Sequence, residues 1–172
     1  RIRFTPDELI ARLRDGALLS PNVLLRPILQ DYLFPTAVGV TGPSEIAAHP
    51  KNNDVLYLAA WGESESGLAA EGGVFRSNDA GTSWTRVLDR AEYVYSVTVD
   101  PENPERVYAG TFESAAFASF DGGDRWERVR GYNFKWGHRV VPDPYNTQKI
   151  YITTFGGSVW YGPRMGVGSS VV

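Results

Sequence analysis

Between residues 132 and 139 the chain reads Tyr-Asn-Phe-Lys-Trp-Gly-His-Arg, which gathers Tyr132, Lys135, Trp136, His138 and Arg139 in one short stretch. An indole beside an imidazole and a guanidinium can stack on a flat ligand face and pair an anion. Tyr132, Trp136, His138 and Arg139 are therefore the candidate binding residues. The same stretch also reads as a connector that packs Trp136 on a neighbour and leaves its charges in water. Catalysis needs more. Cleaving a glycosidic bond takes two carboxyl groups flanking the sugar, or a tyrosine nucleophile in a different arrangement. Glu63, Glu65, Glu71 and Glu113, with Arg139 and several tyrosines, supply the side chains, but no spacing selects a pair. No catalytic residue is assigned.

Other chemistries are narrowed by composition. Cysteine is absent, which removes disulfides, thiolate metal sites and cysteine nucleophiles. His49 and His138 are the only histidines, too few for a His-rich centre, so neither a metal nor a cofactor is expected. A net charge of −3 gives no basic surface for nucleic acid. No apolar run approaches the roughly 18 residues of a membrane helix. The chain starts at Arg1 with neither a Met nor a signal peptide, which reads as a fragment or a processed piece whose address label is not visible.

One eight-residue box is written twice, as SNDAGTSW over 77–84 and SFDGGDRW over 119–126. Both read Ser-x-Asp-x-Gly-x-x-Trp, through Ser77, Asp79, Gly81, Trp84 and Ser119, Asp121, Gly123, Trp126. Such an Asp accepts hydrogen bonds from amides of its own turn. The Gly permits positive φ, and the Trp starts the next strand and folds back over the turn. Every part serves a hairpin, so the box is structural rather than catalytic.

The boxes belong to a longer repeat. IAAHPKNNDVLYLAAWG (46–62), VTVDPENPERVYAGTF (97–112) and VVPDPYNTQKIYITTFGG (140–157) each hold an apolar run, a Pro-centred polar turn and a second apolar run. Tyr57, Tyr108 and Tyr151 mark the second run, and Phe75, Phe117 and Trp160 form a further series at intervals of 42 and 43. ESESGLAAE (63–71) is a polar loop insertion that lengthens the first unit. Strands are expected at about 54–60, 73–77, 83–88, 93–99, 106–112, 115–119, 125–129, 138–142, 149–154 and 157–161. A period of 40–50 residues built from short strands is that of a β-propeller, one four-stranded blade per repeat.

The boxes, with the lead-in and follow-on strands of GGVFRSNDAGTSWTRV, resemble the Asp-box (BNR) repeat of sialidase-like and sortilin-like propellers over residues 46–163. Propellers of that kind include sialidases, xyloglucan-cleaving glycosidases, assembly factors and receptors, so the resemblance implies blades and leaves function open. The third unit, GSVWYGPRMG, lacks the box and looks like a last blade.

The leading residues differ in kind. Residues 1–47 hold eight of twelve leucines but three of 22 aromatics, whereas the rest holds all five tryptophans and 15 of 18 glycines. Leu-rich sequence suits helices, and aromatic, Gly-rich sequence suits strands and turns. Thr5, Pro6 and Glu8 read as a helix start, with Gly16 as its stop. A second helix is expected at 22–33, then a strand at 36–40 running into the Gly turn of TGPSE. LLSPNVLLRPILQDYLFPT followed by TGPSEIA resembles a segment of the BshC family, cysteine-adding enzymes of bacillithiol biosynthesis. That resemblance implies a nucleotide-binding-like α/β fold. It assigns no catalytic residue. Asn22, Arg26, Gln30, Asp31 and Ser44 are its polar candidates, each also explicable as a cap or surface group.

The expected architecture is thus mainly β: a partial β-propeller of two blades plus most of a third, behind a short helical, α/β-like segment. Its divisions are 1–47, 48–163 and a C-terminal tail at 164–172. Domains are normally joined by an exposed polar linker, and none separates the two parts. This reads either as a joined reading frame near SEIAAHP, which a contiguous genomic read across codons 40–55 checks, or as a short appendage. Expected activity is binding of a protein or glycan partner through loops 61–72, 113–116 and 131–139. The alternatives are a glycosidase-type propeller or a BshC-like ligase, each present in part. Unpaired blade edges predict self-association or further blades in a longer chain. An extracytoplasmic location follows if the propeller half governs, and a cytoplasmic one if the BshC-like half does.

Overall fold

In a computed structural model of the chain, the described residues are 43–62, 72–89, 93–132, 136–166 and 170–171. The two expected helices and the strand at 36–40 lie outside them, as do Asn22, Arg26, Gln30 and Asp31. The described residues are mainly β and include no helix. Among the described residues, twelve strands make three four-stranded antiparallel sheets, each paired in chain order. The first holds β1 (Pro43–Ala48), β2 (Leu56–Ala60), β3 (Gly73–Ser77) and β4 (Thr85–Leu88). The second holds β5 (Val94–Val99), β6 (Val107–Thr111), β7 (Ala115–Ser119) and β8 (Glu127–Arg128). The third holds β9 (Gly137–Pro142), β10 (Lys149–Thr154), β11 (Val159–Pro163) and β12 (Ser170–Val171).

Two strands differ from the sequence expectation. Pro43–Ala48, read as a Gly turn running into a first apolar run, pairs along its length with Leu56–Ala60. The first sheet therefore begins ahead of the boundary placed at 48. Ser170–Val171, inside the segment read as a tail, pairs with Trp160 and Tyr161 and gives the third sheet its outer strand. Both are short segments whose pairing depends on a neighbour strand rather than on their own pattern.

The three units keep one register. Tyr57, Tyr108 and Tyr151 lie opposite Arg76, Ala118 and Tyr161. Phe75, Phe117 and Trp160 lie opposite Leu58, Ala109 and Ile152. The turn between first and second strands also repeats. In the second and third units Asp100 and Asp143 accept the amides of Glu102 and Tyr145, and in the first His49 Nδ1 accepts that of Lys51. Asn52, Asn103 and Asn146 then accept the amides of Asp54, Glu105 and Gln148. These Asx turns satisfy backbone donors that the tight connection would otherwise leave open.

Alternation along the strands gives each sheet two faces, and the faces stack. Tyr57, Ala59, Val74 and Leu88 of the first sheet pack on Val97, Val99, Val107, Ala109 and Phe117 of the second. Tyr108, Ala116 and Ala118 on the second sheet's other face pack on Val140, Ile150 and Ile152 of the third. Burial of each such aliphatic side chain contributes roughly 1.5–3 kcal/mol. The first strands of the units are neighbours: Ser44 Oγ of β1 donates to Val94 O of β5 at 2.7 Å. Ser44 is thereby a tie between sheets.

Candidate binding surface

The boxes close one end of the sheets. Ser77 Oγ donates to Asp79 Oδ1 at 2.7 Å and accepts Gly81 N at 2.8 Å. Ser119 Oγ does the same for Asp121 and Gly123 at 2.9 and 2.8 Å. Asp79 Oδ1 and Asp121 Oδ1 each accept the amide four residues on, from Ser83 and Arg125, at 2.8 Å. Gly81 and Gly123 have φ of 88° and 94°, a region that favours glycine. The indoles of Trp84 and Trp126 fold back, donating to Gly81 O and Gly123 O at 3.1 and 3.0 Å. The Ser83 hydroxyl and amide, with the Ser77 hydroxyl, bring Asp79 down to about 2. The Arg125 amide and Ser119 hydroxyl lower Asp121 in the same way. These acids are fixed in turns and hold the ionised form. They are positioned for structure.

The strands carry the chain from this end to the opposite one. Leu56 starts β2 opposite Ser77, and Ala60 ends it opposite Gly73, far from the box. At that far end aromatic rings gather from all three sheets. Trp61, just past β2, lies 4.6 Å from both Tyr93 and Tyr95 at the start of β5, and 5.5 Å from Phe112 just past β6. Phe112 stacks on Trp136 at 5.7 Å with 12° between planes. Phe155, just past β10, is 4.6 Å from Tyr95 and 5.0 Å from His138. Backbone bonds fix the arrangement: Phe112 N donates to Tyr93 O at 2.9 Å and Phe155 N to Trp136 O at 3.1 Å. Trp136 is 46% exposed and Phe155 39%, so the cluster is a surface and not a core.

The four candidate residues divide. Trp136 and His138 join this surface, His138 also sharing a hydrogen bond with Thr153 Oγ1 at 3.2 Å. Arg139 follows His138 on β9 and so points to the other face. There it pairs with Glu45 of β1, whose other oxygen accepts Val97 N at 3.2 Å. Its charge is already answered within the protein. Tyr132 is buried with the second and third sheets, its hydroxyl donating to Pro163 O at 3.2 Å, and burial pushes its pKa to about 12. Of the acids weighed for catalysis, Glu113 is exposed on the turn beside Phe112. Glu63, Glu65 and Glu71 lie outside the described residues.

Trp61, Tyr93, Tyr95, Phe112 and Phe155 were not singled out from the sequence, although a signal for three of them was there. Trp61, Phe112 and Phe155 each stand four residues after the repeat tyrosines Tyr57, Tyr108 and Tyr151. That regularity places one ring per unit at the same end. Among the described residues no group of three or more His, Cys, Asp or Glu could hold a metal. No helix among them is long and apolar enough to cross a membrane.

Comparison with solved structures finds the same fold in GH74 enzymes. The GH74 xyloglucanase of Xanthomonas campestris superposes with a TM-score of 0.62 at 20% identity, covering 78% of this chain and 24% of that one. The GH74 enzyme of Niastella koreensis gives 0.57 at 17%, covering 73% of this chain and 20% of that one. At such identity the likeness is one of fold. A second relationship runs through the leading residues. Residues 1–54 match the family model for bacillithiol biosynthesis BshC, N-terminal Rossmann-like domain. BshC of Solibacter usitatus is 45% identical over 60 residues, 35% of this chain and 11% of that protein. BshC of Anoxybacillus flavithermus is 48% identical over 46 residues, 26% of this chain and 9% of that protein. The chain thus matches about a tenth of its curated relatives' length. The match runs past Ala47 to Asp54, so β1 belongs to it by sequence and to the first sheet by pairing.

Proposed function

We propose that residues 48–163 are non-catalytic β-propeller blades of the Asp-box type, and that the aromatic end binds a glycan. The observation that carries this is the gathering of Trp61, Tyr93, Tyr95, Phe112, Trp136, His138 and Phe155 from three sheets into one partly exposed surface. Rigid rings lose little entropy on binding, and their faces suit the apolar face of a sugar ring. Three stacked meanders whose first strands are neighbours are what blades around an axis require. The likeness in fold to GH74 enzymes supports blades. It carries no activity over, because no carboxylate pair is assigned here. A protein partner is the other class the surface admits. A glycan array with the purified chain, alongside sialidase and glucanase assays, tests the reading. Saturable binding without turnover is expected, and Trp136→Ala weakens it by about tenfold or more, each factor of ten being about 1.4 kcal/mol. Turnover abolished by a single acid or tyrosine substitution would replace it with a glycosidase.

A second reading rests on the family match over residues 1–54. Under it the leading segment is part of a BshC-like cysteine-adding ligase. Addition of cysteine to a glucosaminyl-malate acceptor, assayed with the full chain, is its test. The segment corresponds to a tenth of such a protein, so no turnover is expected from this chain.

A further inference from the structure

Glu45 stands in TGPSEIA, inside the residues that match the BshC family model, yet its carboxylate works where the three sheets meet. β1, β5 and β9 are the first strands of their sheets, and Glu45, Val97 and Arg139 lie one on each. One Glu45 oxygen accepts Val97 N at 3.2 Å, and the other pairs with the Arg139 guanidinium. The Glu45 side chain is 11% exposed and that of Arg139 38%, so the carboxylate is the sheltered partner. A sheltered charge depends on its partners, and removing one costs more than breaking an exposed pair. Ser44, next to it, ties β1 to β5 through Val94 O.

β9 is also the strand that brings Trp136 and His138 to the ring surface. It opens at Gly137, with Trp136 just before it and His138 just after that glycine. This stretch has little room to move. A side chain at Gly137 would run into Ala115 O, and one at Gly110 would stand 2.5 Å from His138 O, so backbone lies against backbone. Thr153 Oγ1 joins the two faces of β9. It accepts Arg139 N at 3.1 Å and shares a hydrogen bond with His138 Nδ1 at 3.2 Å. A continuous set of contacts thus runs from Val97 through Glu45, Arg139 and Thr153 to His138. Glu45 lies opposite Ala59 and Arg139 opposite Thr153. Ala59 and Thr153 each stand two residues before a ring of the surface, Trp61 and Phe155.

We propose that Glu45 is a positioning residue for the ring surface: by holding Arg139 it seats β9, and so sets Trp136 against Phe112 and His138 against Phe155. Close-packed backbone passes a displacement on rather than absorbing it. The binding end is then incomplete without a strand whose wording is that of the BshC-like segment. This role rests on the reading of the ring end as the binding surface.

The test compares the full chain with Glu45→Gln, Arg139→Gln, the double variant and Arg139→Lys. Glu45→Gln keeps an oxygen for Val97 N and removes the charge that answers Arg139. The indole N–H resonances of the five tryptophans are read first, without ligand. Trp136 is expected to shift in Glu45→Gln, whereas Trp84 and Trp126, folded into the boxes, stay in place. Affinity for the best-retained neutral glycan of an array, by calorimetric titration, should fall about threefold or more. The double variant should lose no more than the larger single loss, because the pair acts as a unit. Arg139→Lys keeps the charge and should recover most of what Arg139→Gln loses. An unmoved Trp136 resonance overturns the proposal, as do losses that add in the double variant. So does an equal shift of Trp84 and Trp126, which would make the pair a tie of the whole fold. If Glu45→Gln does not fold, Arg139→Gln carries the same readings, and failure of both to fold also overturns the proposal. If the full chain binds no glycan while Trp136 alone shifts, the glycan reading fails and the seating of the rings stands. If the full chain and folded Glu45→Gln bind equally, only the positioning role fails.

Discussion

Tyr57 and Tyr108 occupy one register, and of the two only Tyr57 has an acceptor for its hydroxyl among the described residues, which makes them a paired experiment. A typical net hydrogen bond is worth about 1 kcal/mol, and an unsatisfied buried polar group costs a similar amount or more. Tyr57→Phe removes the bond to Gly122 O and should destabilise by about 1 kcal/mol. Tyr108→Phe removes a buried hydroxyl that has no partner among the described residues and should be neutral or stabilising. Chemical denaturation of the two variants checks both signs. Acid provides a second test. Asp79 is held at about 2 against an ordinary 3.8, so the folded state binds its proton more weakly than the unfolded chain. The stabilisation is present above pH 4 and disappears as pH falls from about 4 to 2. Asp121 and Asp143 are lowered as well, Asp143 chiefly by the Tyr161 hydroxyl. The Tm of the protein should drop across that window more steeply than that of Asp79→Asn, which has no such proton to take up.

At the scale of the element, close approach between units singles out two glycines with opposite reasons to be glycine. A side chain at Gly110 on β6 would meet His138 O at 2.5 Å and Ser96 Oγ at 2.7 Å, in the seam between the second and third sheets. Gly110→Ala should cost about 1–3 kcal/mol, the range for overpacking, and loosen β9. Gly156 has φ of 75° with nothing within 4 Å of an added Cβ, so Gly156→Ala meets only backbone strain of about 1–2 kcal/mol. Amide exchange on β9 tells them apart, rising in the first variant and not in the second. The interior strands were legible in sequence because Gly, Asp, Asn and Pro bound short apolar runs. Gly73–Ser77, Ala115–Ser119 and Lys149–Thr154 lie where the pattern puts them. Pro43–Ala48 was not legible, because its wording is that of the BshC-like segment while its partner is β2. The pairing of Arg139 was not legible for a related reason. Alternation separates it from His138, but only the stacking of units brings Glu45 within reach.

On the scale of the whole molecule, the chain joins two likenesses, and β1 belongs to the one by sequence and to the first sheet by pairing. The BshC match ends at Asp54, and the fold shared with GH74 enzymes covers up to 78% of the chain. Under the proposed function, binding comes from what the stacked sheets build together, the ring surface opposite the boxes. Removing a box should therefore weaken the fold and leave ligand affinity untouched in whatever fraction stays folded. The most direct measurement is calorimetric titration of the full chain, Trp136→Ala and Asp79→Ala with the best-retained neutral glycan of an array. The account predicts saturable binding by the full chain and by folded Asp79→Ala, and at least tenfold weaker binding by Trp136→Ala. Absence of any retained glycan, or affinity indifferent to Trp136, would contradict it.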